Sequence, residues 1–304
     1  MKKITYSAPA KVILSGEHAV VYGNPGLIAA IDRRLIFTVL PSRKKTTQTN
    51  ILWAEKIIKD YFSNHKIKYQ NKNFTCEIQS TIPLGRGLGS SAAFSVAAIA
   101  ALLDFFTGRQ WEKNTIYELA YQLEKKFHHN SSGVDPAASC YGGLLFYRKE
   151  LDCLKVILPL PFILPTKISR TLYLVDSGKP EETTGEMVKL VSRQKLPLLA
   201  MEKVTKQMIQ AIKDANLRLF QQAVHHNAVL LEQISAVAEK TKKLQESWKN
   251  FAVSKITGAS GYKLFSGYIL VSTKQPERLK TYCRNNCLPI IKLAAINSGL
   301  EKIL

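Results

Sequence analysis

Acidic residues are scarce in this 304-residue chain: 23 Asp and Glu stand against 43 Lys and Arg, a formal charge of +20. Cysteine is scarcer still. Cys76, Cys140, Cys153, Cys283 and Cys287 are odd in number and widely spread, which excludes a disulfide framework and points to free thiols in a reducing compartment. Cys283 and Cys287 have the i, i+4 spacing that puts two thiols on one helix face, but a zinc site needs two more ligands and none stands nearby. Long hydrophobic runs are missing too. The longest, residues 92–103, is broken by Ser95 and falls short of the roughly 18–20 residues that span a bilayer. Met1-Lys2-Lys3 has the look of a signal-peptide start, yet Ser7, Pro9 and Lys11 break any apolar region behind it. The expectation is a cytoplasmic protein.

Missing motifs narrow the function. There is no Gly-x-Ser-x-Gly elbow and no His-Glu-x-x-His helix, which argues against the common serine-hydrolase and zincin classes. The basic residues are spread over 43–45, 56–72, 125–126, 240–249 and 274–284. No helix-turn-helix, zinc-finger or RNA-recognition signature accompanies them. A solvated basic surface that draws in an anionic substrate therefore outweighs nucleic-acid binding.

A hydrophobic content of 46% is ample for a sizeable core, and the length suggests two domains or one large one. Residues 4–6, 12–14 and 35–40 read as strands punctuated by Gly16, Gly23 and Pro25. Residues 51–62 have helical character, and 74–78 read as a strand. The segment 92–106 is apolar almost all round, as a centrally buried helix would be. A further helix over 114–127 carries the stripe Ile116, Ala120, Leu123 and Phe127. Three prolines within 158–165 exclude a helix or a central strand, so the domain boundary is set there, dividing the chain into 1–165 and 166–304. The second part reads as a strand over 171–175, helices over 187–247, strands near Ile256 and over 268–272, a helix, and a last strand over 289–292. Helices on one face of an antiparallel sheet would suit this order, giving an α+β class.

The strongest local signal is Pro83-Leu-Gly-Arg-Gly-Leu-Gly-Ser-Ser91. Gly85, Gly87 and Gly89 allow close backbone approach, and the helix behind them points unpaired N–H groups at an anion. Ser90 and Ser91 can cap that helix or reach a metal ion. Phosphate binding is the favoured reading over a flexible loop with a serine cap. The loop is neither a Walker A motif, lacking Gly-Lys-Ser/Thr, nor a Rossmann fingerprint, since its third glycine comes one residue early. Glu124 continues the line Ile116, Ala120 to the edge of the buried stripe. A carboxylate there must be paired, with Lys11 or a surface lysine, or bound to a cation, and the spacing does not choose between these. Asp135, followed by Pro136, reads as a helix N-cap. Lys11 beside an apolar run reads as a snorkelling lysine. Glu17 and His18 read as turn chemistry, and the pairs His128–His129 and His225–His226 as structural. Thr183 and Glu186 have capping-box spacing.

Taken together, these segments resemble the GHMP small-molecule kinases. Residues 8–23, Ala-Pro-Ala-Lys-Val-Ile-Leu-Ser-Gly-Glu-His-Ala-Val-Val-Tyr-Gly, resemble that family's first motif, and their wording leans toward members that phosphorylate mevalonate rather than galactose or homoserine. Residues 83–93 resemble the ATP loop, and Ser132-Gly-Val-Asp135 with Tyr141-Gly-Gly143 resembles the segment carrying a catalytic aspartate. Lys255-Ile-Thr-Gly-Ala-Ser-Gly261 is a weaker match to a third, glycine-rich motif; Ser260, Tyr262 and Lys263 interrupt it, so no nucleotide contact is carried over. Pro136 replaces a polar residue often found after the aspartate.

The resemblance implies a two-domain α+β fold, ribosomal-protein-S5-like then ferredoxin-like, with the active site between the domains. It implies ATP and Mg²⁺, with Asp135 as the base and Lys11 holding it ionised and stabilising charge on the phosphoryl group. It places Pro83, Gly85, Gly87, Leu88, Gly89, Ser90, Ser91 and Ala92 on the nucleotide, and Ser91 and Glu124 on the metal. Glu17, His18 and Thr184 fall on the substrate side. The implied partners are small molecules, mevalonate and ATP, without nucleic acid or membrane, and a homodimer is an allowed assembly. Rival readings are a phosphomevalonate-phosphorylating or decarboxylase-like member of the family, a catalytically silent member, and a nucleic-acid binder.

Overall fold

The computed structural model describes residues 3–44, 46–128 and 131–303; Met1, Lys2, Lys45 and His129, each singled out above, lie outside the described residues. In chain order the elements are β1 (Ile4–Ser15), a 3-10 turn (Ala19–Tyr22), β2 (Gly26–Pro41), α1 (Thr49–Asn64), β3 (Phe74–Ser80), α2 (Ser90–Thr107), α3 (Lys113–Phe127), α4 (Val134–Tyr141), β4 (Leu144–Lys149) and β5 (Lys155–Pro159). There follow α5 (Thr166–Ser169), β6 (Leu172–Asp176), α6 (Thr184–Val191), α7 (Leu198–Lys213), α8 (Leu217–Gln233), α9 (Glu239–Ser247), β7 (Ala252–Ile256), β8 (Tyr268–Thr273), α10 (Pro276–Asn285), β9 (Ile290–Lys292) and β10 (Glu301–Lys302).

Two antiparallel sheets carry the molecule, the α+β arrangement that the element order implied. One runs β10-β1-β2-β4-β5 with β3 also on β2, and the other runs β7-β8-β6-β9. The first sheet contains longer strands than the sequence periodicity marks. β1 is one continuous 12-residue strand across Pro9, because a register shift between Pro9 and Ala10 takes up the proline. Its residues are buried on both faces, so no alternation signals it. β2 pairs with β1 along one edge and serves two partners on the other, β4 through its first half and β3 through its second, and the polar stretch Asp32-Arg33-Arg34 between them hides its continuity in the sequence.

Helix α2 lies against β1, β2, α1, α3 and α4, the centre of the first domain. With 18 residues and a mean hydropathy of 1.6 it has the length and composition of a membrane crossing, but 83% of it is buried inside the protein. Its apolarity is therefore answered by packing. The proline-rich segment after β5 leads from the first sheet to the second. The chain then returns: Ile31 bridges Ala295, Leu300 N–H donates to the Cys140 carbonyl, and β10 pairs with β1. Residues 294–303 thus belong physically to the first sheet. Cys283 is buried in α10, whereas Cys287 lies beyond the helix end at φ 52° and is exposed. The two thiols therefore do not share a helix face, contrary to their spacing, because the helix stops at Asn285.

Apolar residues of both domains share one core across the seam, and a set of buried polar contacts lies within it. Ile13 exchanges two bonds with the Thr257 hydroxyl, donating through N–H at 3.0 Å and accepting through C=O at 3.1 Å. Beside it Lys255 and Glu17, both fully buried, form an ion pair. Lys255 Nζ also donates to the Ile256 carbonyl at 2.7 Å, and Asn227 donates to Glu17 at 3.2 Å. Burial pushes the Lys255 pKa down and Glu17 pulls it back up. Breaking such a pair strands a charge away from water. We predict that Lys255→Met lowers stability by about 3–5 kcal/mol, and that adding Glu17→Gln recovers part of the loss. Equal denaturation midpoints for wild type and Lys255→Met would contradict this.

Candidate active site

A cleft of about 910 Å³ opens between the domains, walled by the glycine loop, the start of α2, His128, Asp135, residues 179–184 and the Ala259–Ser260 turn. Gly85, Gly87 and Gly89 all have positive φ, at 65°, 83° and 76°, which is why glycine recurs at alternate positions. Close approach adds a second demand at two of them. A Cβ on Gly89 would meet Lys11 Cγ at 2.8 Å, and one on Gly87 would meet the Thr257 carbonyl at 3.0 Å. The loop is thus pressed onto β1 on one side and onto the third motif on the other. Arg86 fastens it to the second sheet through Asp176, at 2.6 Å.

Helix α2 begins at Gly89 with no side-chain cap. Ser90 and Ser91 do not serve as caps. The Ser91 hydroxyl instead donates to Glu124 Oε1 at 2.8 Å, and Ser95 donates to Glu124 Oε2 at 3.2 Å. The first-turn N–H groups are left facing the cleft, an arrangement suited to an anion. Pro83, Gly85, Gly87, Leu88, Gly89, Ser90 and Ser91 line the cleft, while Ala92 is packed inside the helix.

Asp135 is not the cap its sequence context suggested. Gly133 takes the N-cap position at φ 88°, and Asp135 stands in the first turn of α4. A Cβ at Gly133 would strike the Tyr147 and Tyr117 hydroxyls at 2.7 and 2.8 Å, so the tyrosines select glycine there and set the helix start one residue pair earlier. Asp135 is left free to reach Lys11, whose Nζ lies 3.0 Å from Oδ1. Lys11 is 2% exposed and Asp135 29%, so the lysine does not snorkel to solvent. Its backbone N–H donates to the Leu88 carbonyl at 3.0 Å.

Glu124 is buried, 2% exposed. Burial first, and the charge of Asp135 second, push its pKa up to about 7 against the pull of Ser91, Ser95 and Lys11. The residue that sequence reasoning set aside is His128. Its Nε2 lies 3.3 Å from Ser91 Oγ and 3.7 Å from Glu124 Oε1, and burial pushes its pKa down. Its i, i+4 distance from Glu124 was the available signal.

Glu17 and His18 are not among the residues lining the cleft. Glu17 turns into the seam toward Lys255, and His18 Nε2 bonds the Ala259 carbonyl at 3.1 Å; burial holds its pKa down at about 4. Thr184 lines the cleft, and Thr183 completes the capping box with Glu186. His225 and His226 lie on α8, away from this cleft. Ala259 and Ser260, to which no contact was assigned, form part of its wall.

The family model for the GHMP kinases N terminal domain matches residues 51–143. The mevalonate kinase of Archaeoglobus fulgidus is 30% identical over 280 residues, covering 86% of this chain and 92% of its own. Among solved structures, L. major mevalonate kinase in complex with R-mevalonate superposes with a TM-score of 0.75 at 21% identity, covering 98% of this chain and 97% of its own. Streptococcus pneumoniae phosphomevalonate kinase in complex with phosphomevalonate and AMPPNP gives 0.78 at 18%, over all of both chains. At such identities the two structures speak for the fold.

The raised Glu124 pKa carries a pH signature. Above about pH 4.5 the unfolded chain releases this proton, while the folded protein keeps it until about 7. The folded state binds more protons in that window, so this group lowers stability as pH rises through it, by up to about 1.4 kcal/mol per pH unit. We predict that the stability gap between Glu124→Gln and wild type shifts in favour of the variant from pH 5 to pH 7.5 in urea unfolding. A pH-independent gap would contradict the buried, raised carboxyl.

Proposed function

The chain belongs to the GHMP kinase family, and from that premise we propose that it transfers the γ-phosphoryl group of ATP to the primary hydroxyl of mevalonate, giving 5-phosphomevalonate. The observation that supports this reading most is the Lys11–Asp135 pair, 3.0 Å apart, with the uncapped start of α2 packed against the Lys11 stem at the same cleft. Asp135 takes the proton of the acceptor hydroxyl. Lys11 balances negative charge on the phosphoryl group in flight. Such transfer asks for position and electrostatics more than for covalent help.

Gly85, Gly87, Leu88, Gly89, Ser90 and Ser91 hold the triphosphate of ATP through backbone N–H groups and hydroxyls; Pro83, which has no N–H to donate, lines the nucleotide side of the cleft, and Ala92 contributes through its backbone alone. Ser91 and Glu124 fit a divalent cation. Their oxygens are 2.8 Å apart, and a carboxyl raised by burial and by Asp135 is stabilised in its ionised form by a positive ion. Mg²⁺ bound there neutralises phosphate charge. Thr184 faces the acceptor, while Glu17 and His18 support the wall of the cleft through Lys255 and Ala259. Phosphomevalonate as acceptor is the second reading, which the solved relative with that ligand keeps in view.

ADP release with Mg²⁺-ATP, measured in parallel on mevalonate, phosphomevalonate, galactose and homoserine, tests the acceptor; turnover on mevalonate alone is expected. Turnover on phosphomevalonate instead would move the enzyme to the following phosphorylation. We further predict that Asp135→Asn loses about 10²–10⁴-fold in turnover while ATP binding by calorimetry persists. Undiminished turnover would remove Asp135 as the base.

A further inference from the structure

Ser91, Glu124 and His128 make one triangular face at the inner end of the cleft. Ser91 Oγ lies 2.8 Å from Glu124 Oε1, and His128 Nε2 completes the triangle at 3.3 and 3.7 Å. Donor atoms that meet at right angles on an octahedral ion at roughly 2.1 Å stand about 3.0 Å apart. The three separations straddle that spacing. Helix α3 and its C-cap supply two corners: Glu124 is in the last turn, and the N–H of the capping residue His128 closes the helix on the Glu124 carbonyl at 2.8 Å. The three corners also grade from dry to wet. Glu124 is 2% exposed, whereas His128 is 28% exposed and lines the cleft.

We propose that His128 is a third protein ligand of the divalent cation, binding through Nε2 beside Ser91 and Glu124. The assignment rests on the metal reading of those two residues. It changes the chemical class of the site. A hydroxyl and a carboxylate alone make an all-oxygen site suited to Mg²⁺, whereas an imidazole favours Mn²⁺ and Co²⁺ relative to Mg²⁺. The competing role for His128 is to donate its Nε2 proton to Ser91 Oγ and orient that hydroxyl without touching the ion.

Pulsed EPR of the protein carrying ¹⁵N-histidine, loaded with Mn²⁺ and a non-hydrolysable ATP analogue, separates the two. A histidine ¹⁵N coupling to Mn²⁺ is expected, distinct from any ¹⁴N of the nucleotide and absent in His128→Gln. The same substitution should weaken Mn²⁺ binding about tenfold and Mg²⁺ binding less, read by competition. Mn²⁺ held in a Glu124-dependent manner but without histidine coupling would overturn the proposal, as would an unchanged Mn²⁺/Mg²⁺ ratio in His128→Gln. Mn²⁺ binding indifferent to both Glu124→Gln and His128→Gln would overturn the underlying metal reading, and the role of His128 with it.

Discussion

Lys11 is held at three points, and each point fixes a different segment of the site. Its N–H bonds the Leu88 carbonyl, its stem lies under Gly89, and its ammonium meets Asp135. A cation that is 2% exposed has little water to fall back on. Its surroundings are therefore constrained: no side chain at 89, a carboxylate at 135, and a strand stiff enough to hold the stem in place. Two residues farther along the same strand, Ile13 clasps Thr257. β1 thus gives the glycine loop, α4 and the second domain a common reference, and the cleft takes its shape from how each meets that strand.

The seam extends the same logic. Apolar surfaces can slide past one another at little cost, but Lys255 and Glu17 cannot. A slip of one residue would part them in a setting where neither charge has water. Glu17 is followed in the chain by His18, which bonds the Ala259 carbonyl of the cleft wall, so the docking of the two domains and that wall are tied through adjacent residues.

Much of this was readable from the sequence wherever the cause is local. Alternate glycines announce a loop of positive φ, the all-round apolarity of 92–106 announces a central helix, and Thr183 with Glu186 announces a cap. Local reading failed where a distant residue decides. Residues 4–6 and 12–14 read as separate strands because the bulge that carries β1 past Pro9 leaves no mark in composition. Asp135 looked like a cap because the tyrosines that claim the cap position for Gly133 come from α3 and β4. Glu124 could be placed on a stripe, but not weighed, until Ser91, Ser95 and Asp135 surrounded it. His128 was passed over because its companions are a serine 37 residues away and a glutamate considered for other reasons. The pairing of Glu17 with Lys255, separated by 238 residues, has no local trace at all.

The return of residues 294–303 to the first sheet bears on how the protein is made. A ribosome delivers the chain from its N-terminus, so β1 waits with one neighbouring strand while the whole second domain is synthesised. Only then do Tyr6 and Ser7 acquire Lys302 and Glu301 as partners, and only then does Lys302 reach the buried Asp104 that Tyr6 already contacts. Until that moment the nascent first domain carries an open strand edge, a surface prone to pairing with other chains. A strand made after the second domain is the one that covers this edge of the first.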